Sequence, residues 1–114
     1  MPFINTKVST KISKENELKL KERFGKAISL LRGKSEAWLM LNFEDECRMY
    51  FQGDGEQPCA FIEVKIYGRQ SADEYDALTA ELSEIVSQVL GINKGKIYVK
   101  YEEIAHWGFN GHNF

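Results

Sequence analysis

Cysteine, histidine and proline each occur only twice in these 114 residues. Cys47 and Cys59 lack Cys-x-x-Cys spacing, residue 62 being Ile, and no paired histidines stand beside them, which excludes the usual zinc and dithiol motifs. His106 and His112 have no Cys or carboxylate at ligand spacing and read as ordinary surface histidines. No apolar run approaches the ~18 residues of a membrane span, and no charged-then-apolar leader opens the chain. The expected setting is therefore cytoplasmic and reducing, with leaderless secretion left open. Charge of one sign is also scarce: the net charge is -2 and the pI about 5.7, with lysines and acids interspersed. That balance argues against a nucleic-acid or anionic-membrane surface, and the charges over residues 11–26 read as the solvated side of a helix.

What is present is ordinary globular material, 43% hydrophobic and 28% charged. Neither a linker nor a low-complexity stretch divides it, so residues 1–114 are expected to form one domain. Residues 3–8 can form a strand directly after Pro2, which is tolerated where no ladder donor is needed. Ser13 is a candidate N-cap, Glu15 and Glu17 suit the positive helix end, and Leu20, Phe24, Ala27 and Leu31 recur at helical spacing, with Gly33 as the expected C-cap. Residues 37–43 are almost continuously apolar and read as a strand buried on both faces.

The second half repeats this order. Residues 60–67 read as a strand, and Ser71 and Glu74 as a capping box. An amphipathic helix carrying Tyr75, Leu78, Leu82, Ile85 and Val89 then runs to Gly91, and a last strand over 96–104 sets Ile97 and Val99 against Tyr98 and Lys100. The connection 44–58 leaves room for a short strand at Met49, Tyr50 and Phe51. The predicted class is α+β: duplicated β-α-β units forming a four-stranded sheet with both helices on one face, as the right-handed crossover requires. Two helices cannot cover the other face, so a homo-oligomer is expected.

Two terminal features bear on chemistry. Removal of Met1 would expose the secondary amine of Pro2. An α-amino group titrates near ~7.7–8.0 in water, and apolar walls lower that value, giving a general base poised near neutral pH. At the other end, residues 105–114 are too aromatic for an idle tail, and are read either as a clasp against a neighbouring subunit or as the wall of a binding site.

Taken in order, Pro2-Phe3-Ile4-Asn5-Thr6, Gly33-Lys34, Glu56-Gln57-Pro58-Cys59-Ala60, Ile97-Tyr98, Trp107-Gly108-Phe109-Asn110 and the terminal Phe114 span nearly the whole chain. In this set the chain resembles the macrophage migration inhibitory factor family of the tautomerase superfamily. The resemblance implies a trimer whose sheets line a central barrel, with active sites between adjacent subunits and Pro2 as catalytic base. It implies keto-enol tautomerisation of aromatic 2-oxo acids such as phenylpyruvate, with no metal and no organic cofactor. Lys34 matches the lysine that faces the substrate carboxylate, and the Tyr67 amide falls at a second carboxylate donor. Tyr98, from the adjoining subunit, matches an aromatic wall, and Trp38, Trp107, Phe109 and Phe114 fall at the remaining wall positions.

Spacing alone would leave Lys34 a solvated lysine at a helix end, and Trp38 and Tyr98 packing residues. Three departures qualify the resemblance. Lys100 stands in place of an asparagine associated with the far end of the substrate, Tyr67 replaces a smaller aliphatic residue at the mouth, and the missing second cysteine removes the case for thiol-disulfide activity. A secreted, cytokine-like signalling protein with a receptor partner and a vestigial site is the alternative. A ferredoxin-like module for nucleic acid or metal ranks below both, because basic sheet clusters and paired cysteines are lacking.

Overall fold

Four strands lie in the order β2-β1-β3-β4 in the computed structural model, which describes residues Met1–Phe114. β1 (Pro2–Val8) runs parallel to β2 (Met40–Glu44) and antiparallel to β3 (Ala60–Tyr67), and β3 runs parallel to β4 (Ile97–Ile104). Each parallel pair is joined by a helix, α1 (Lys14–Ala27) or α2 (Ala72–Leu90), so the two β-α-β units meet at the antiparallel β1/β3 seam. The helices pack beside each other, with Arg23 donating to Gln88 at 2.8 Å.

Alternation in the central strands makes the core. Ile4 and Val8 of β1 and Ile62, Val64 and Ile66 of β3 are sealed against Leu20 and Phe24 of α1 and Leu78, Leu82, Ile85 and Val86 of α2. Each such side chain contributes roughly 1.5–3 kcal/mol of transfer free energy. The caps follow the sequence: Ser13 accepts the Asn16 N–H, Ser71 and Glu74 form a complete capping box, and Gly91 ends α2 at φ 72°.

Three expectations are corrected. The first helix does not run to a C-cap at Gly33: α1 ends at Ala27 and tightens into the 3-10 turn Ile28–Leu30. Side chains three apart eclipse in such a turn, which keeps Ile28 and Leu31 together in the core. Gly33 instead supplies φ 81° within the turn 31–34, closed by Lys34 N–H on the Leu31 carbonyl at 3.0 Å.

Residues 37–43 are not a strand buried on both faces. Ala37 and Trp38 belong to the 3-10 turn Glu36–Trp38, and β2 begins only at Met40. From there the alternation is clean: Leu41 and Phe43 pack on the core while Met40, Asn42 and Glu44 point away from it. The apparent apolar run joined a turn to one face of a strand. Met49, Tyr50 and Phe51 form no strand, because left-handed φ at Glu46 and Gln52 turns the backbone away from extension and leaves one bridge, Phe51 to Asp54.

The face opposite the helices is polar at its centre. Register aligns Asn42, Asn5, Glu63 and Lys100 across all four strands. Asn42 donates to Asn5 at 2.8 Å, Asn5 to Glu63 at 3.3 Å, and Lys7 and Lys100 each lie 3.6 Å from the Glu63 carboxylate. Although burial works against it, this surround holds the Glu63 carboxyl below its ordinary value, through the Asn5 hydrogen bond and then the neighbouring lysines.

Candidate active site

Pro2 starts β1 opposite Ile66 and is buried, whereas a cleft of about 680 Å³ opens beside it. Met1, Pro2, Trp38, Met40, Trp107 and Phe109 are among its walls, which are mainly hydrophobic. The tail closes one side by folding on its own chain. β5 (Gly108–Phe109) pairs with β6 (His112–Asn113) through Asn110 at φ 53° and Gly111 at φ 89°, the two left-handed residues of a tight hairpin turn. The hairpin sets the Phe109 ring edge-on to Trp38 with centroids 5.3 Å apart. Phe114 stacks on Phe109 at 6.4 Å and tilts against Tyr67 at 5.6 Å, while its N–H donates to the Trp107 carbonyl.

Polar groups converge where β1 meets the end of β3. Lys34, partly buried as the last residue of the turn 31–34, donates from Nζ to the Tyr67 carbonyl at 3.0 Å. The Tyr67 N–H donates to the Met1 carbonyl at 3.1 Å. The Met1 α-amine meets the Lys34 ammonium, and its pKa is lowered to about 6, first by burial and then by the charge and hydrogen bond of Lys34. The chain thus brings the Lys34 ammonium and the Tyr67 amide, which the Met1 carbonyl now occupies, together at the Pro2 end of the sheet, in a setting that disfavours a protonated amine.

Pro2, Lys34, Tyr67, Trp38, Trp107, Phe109 and Phe114 gather at this end of the sheet. Two of the expected residues do not. Tyr98 pairs with Phe61 whereas Pro2 pairs with Ile66, and the five positions between them along β3 span roughly 16 Å. Tyr98 is 62% exposed and meets Phe51 edge-on at 5.0 Å. Lys100 is ion-paired on the open face, 3.1 Å from Glu102 and 3.6 Å from Glu63, and these carboxylates raise its pKa, Glu102 most. Within one chain neither reaches the cleft.

Sequence reasoning missed the part played by Met40 in the cleft wall and the hairpin within the tail. The Asn110-Gly111 pair was the available signal, since that dipeptide suits a turn with two positive φ values. No three His, Cys, Asp or Glu side chains converge so as to hold a metal ion, and no helix is long and apolar enough to cross a membrane.

The sequence pattern described as Macrophage migration inhibitory factor (MIF) matches residues 1–114. Among solved structures, MIF2 of Leishmania major is 30% identical, with 100% of this chain and 97% of that one aligned at a TM-score of 0.93. A macrophage migration inhibitory factor homologue from Prochlorococcus marinus is 29% identical over 98% of each chain, at a TM-score of 0.88. A macrophage migration inhibitory factor-like protein from Entamoeba histolytica, 22% identical over 99% of this chain and 98% of that one, shares the fold at a TM-score of 0.87. No curated protein matches at a significant level. With its whole length matched, the chain belongs to the macrophage migration inhibitory factor family.

Proposed function

We propose that this protein, once Met1 is removed, interconverts the keto and enol forms of phenylpyruvate-like aromatic 2-oxo acids, with the Pro2 nitrogen as general base. The observation that carries this reading is the hydrogen bond from Tyr67 N–H to the Met1 carbonyl, formed beside the Lys34 ammonium. The Met1 carbonyl oxygen stands where a substrate carboxylate oxygen would sit. With Met1 gone, Lys34 and the Tyr67 amide are left to bind that carboxylate, and the Pro2 nitrogen becomes the terminal amine, where the apolar walls and the Lys34 charge disfavour its protonated form. Pro2 accepts a proton from the carbon next to the ketone, the C–H electron pair becomes the carbon–carbon double bond, and the carbonyl oxygen is protonated from solvent. Trp38, Trp107, Phe109 and Phe114 hold the aromatic ring and keep the base desolvated.

The working form in this reading is a homotrimer. Exposed Met40 and Tyr98 edge the open face, and only a second copy could carry Tyr98 and Lys100 to a cleft. Light scattering tests the assembly, a monomer at micromolar concentration counting against it. The chemistry is tested by confirming the processed mass and assaying phenylpyruvate with wild type and Pro2→Gly. Loss of one positioned base is expected to cost on the order of 10²–10⁴-fold in rate with the fold intact. Wild-type turnover by that variant would remove Pro2 from the mechanism.

A further inference from the structure

We infer that Glu74, at the start of α2, is a positioning residue for the site, holding Lys34 in place by clamping the turn that carries it. The inference rests on the tautomerase reading above for its consequence in catalysis, but its geometry is independent of that reading. One carboxylate oxygen of Glu74, Oε1, accepts from Ser71 N–H at 3.0 Å and from Ser71 Oγ at 2.9 Å, which completes the capping box. The other, Oε2, accepts Arg32 N–H at 2.6 Å and Gln70 Nε2 at 3.1 Å. Gln70 Nε2 also donates to the Arg32 carbonyl at 3.2 Å. A capping box has no need of these contacts to Arg32.

Arg32 is the first central residue of the turn 31–34, so both polar groups of its backbone are tied to the entry of α2. Lys34 follows two residues later. A lysine ammonium sits on a flexible four-carbon stem, so its aim at the Tyr67 carbonyl depends on a fixed backbone beneath it. Gln70 is anchored in turn, its N–H donating to Glu103, which also accepts from the Tyr75 hydroxyl at 2.7 Å. The bonds from Arg32 and Ser71 hold the Glu74 carboxyl at a pKa of about 2, so the clamp is charged throughout the neutral range.

The test is a direct titration of the N-terminal amine in the processed full-length protein, read by NMR on isotope-labelled proline, together with phenylpyruvate kinetics and melting temperature. Lys34→Ala should raise the amine pKa by about one unit or less, because a neighbouring positive charge is removed. Glu74→Ala should reproduce part of that rise and increase KM more than it lowers kcat, and the double variant should go no further than Lys34→Ala. Ser71→Ala, which weakens the helix cap without touching Arg32, should lower the melting temperature and leave the amine unchanged. If Glu74→Ala fails to fold, Gln70→Ala loosens Arg32 from the carbonyl side and should move the amine in the same direction.

An amine unmoved by the clamp variants while Lys34→Ala shifts it would overturn the inference. An equal shift in Ser71→Ala would also overturn it, by assigning the effect to the helix cap, and so would an amine indifferent to Lys34. Because the titration needs no turnover, inactivity of wild type on phenylpyruvate would count against the proposed function and leave the role of Glu74 to be decided by the titration.

Discussion

The Tyr67 amide N–H donates to the Met1 carbonyl at 3.1 Å, so the first residue occupies the donor that the proposed reaction needs. The same peptide bond makes the Pro2 nitrogen an amide, which is not a base near neutral pH. We therefore predict that protein retaining Met1 is inactive on phenylpyruvate whereas protein beginning at Pro2 is active. Matched samples verified by mass spectrometry decide this, and equal rates would rule out the proline nitrogen as the base.

Lys34→Ala should lower kcat/KM by about 10- to 100-fold, as expected for losing a charge-assisted contact worth about 1.5–3 kcal/mol. Its pH profile should also move. Burial first and then the Lys34 ammonium lower the pKa of the Met1 amine to about 6. The Pro2 amine exposed by processing lies at the same end of the site, so the same two causes should hold it below the ordinary amine value, and activity that depends on the free amine should fall on the acid side. Without the ammonium the acid limb should shift to higher pH but stop short of the ordinary amine value. An unchanged limb in steady-state kinetics would separate Lys34 from the base.

Acid stability should report Glu74. Its carboxyl titrates at about 2 when folded against an ordinary value of 4.5, so the unfolded chain takes up the proton first as pH falls. The stabilisation is fully present above about pH 4.5 and is lost as pH falls through about 2. Thermal melts of wild type and Glu74→Gln should differ most at neutral pH, narrow below 4.5 and converge near pH 2. A constant difference across that window would contradict the assignment.

Gly111→Ala should loosen the tail without unfolding the domain. At φ 89° an alanine is strained by about 1 kcal/mol or more, and the hairpin it closes lies outside the core. We predict faster amide exchange at Phe109 and Phe114 and a raised KM, with kcat and the melting temperature little changed. An unaltered KM would show that the Phe109 and Phe114 walls do not contact substrate.

The periodicities of Ile62, Val64 and Ile66 and of Leu78, Leu82 and Ile85 were enough to place β3 and α2, because burial of one face is written directly into residue spacing. The caps at Ser13, Ser71 and Gly91 were legible for a similar reason, since each acts within its own turn of chain. Gly33 misled because a left-handed glycine suits a helix end and a tight turn equally. At 37–43, hydrophobicity alone did not distinguish the turn containing Trp38 from the outward side of β2 at Met40.

By itself the sequence determined the duplicated β-α-β plan, the helix caps and the candidate base at Pro2, all of which depend on local spacing or on one residue's chemistry. Tertiary structure alone decided that Met1 lies on the Tyr67 amide, that Phe114 reaches Tyr67, and that Glu74 reaches back to Arg32. It also separated Tyr98 from Pro2 by placing them at opposite ends of β3. These relationships join residues far apart in the chain, and they exist only once the strand register and the packing of α2 against the turn 31–34 have set their distances.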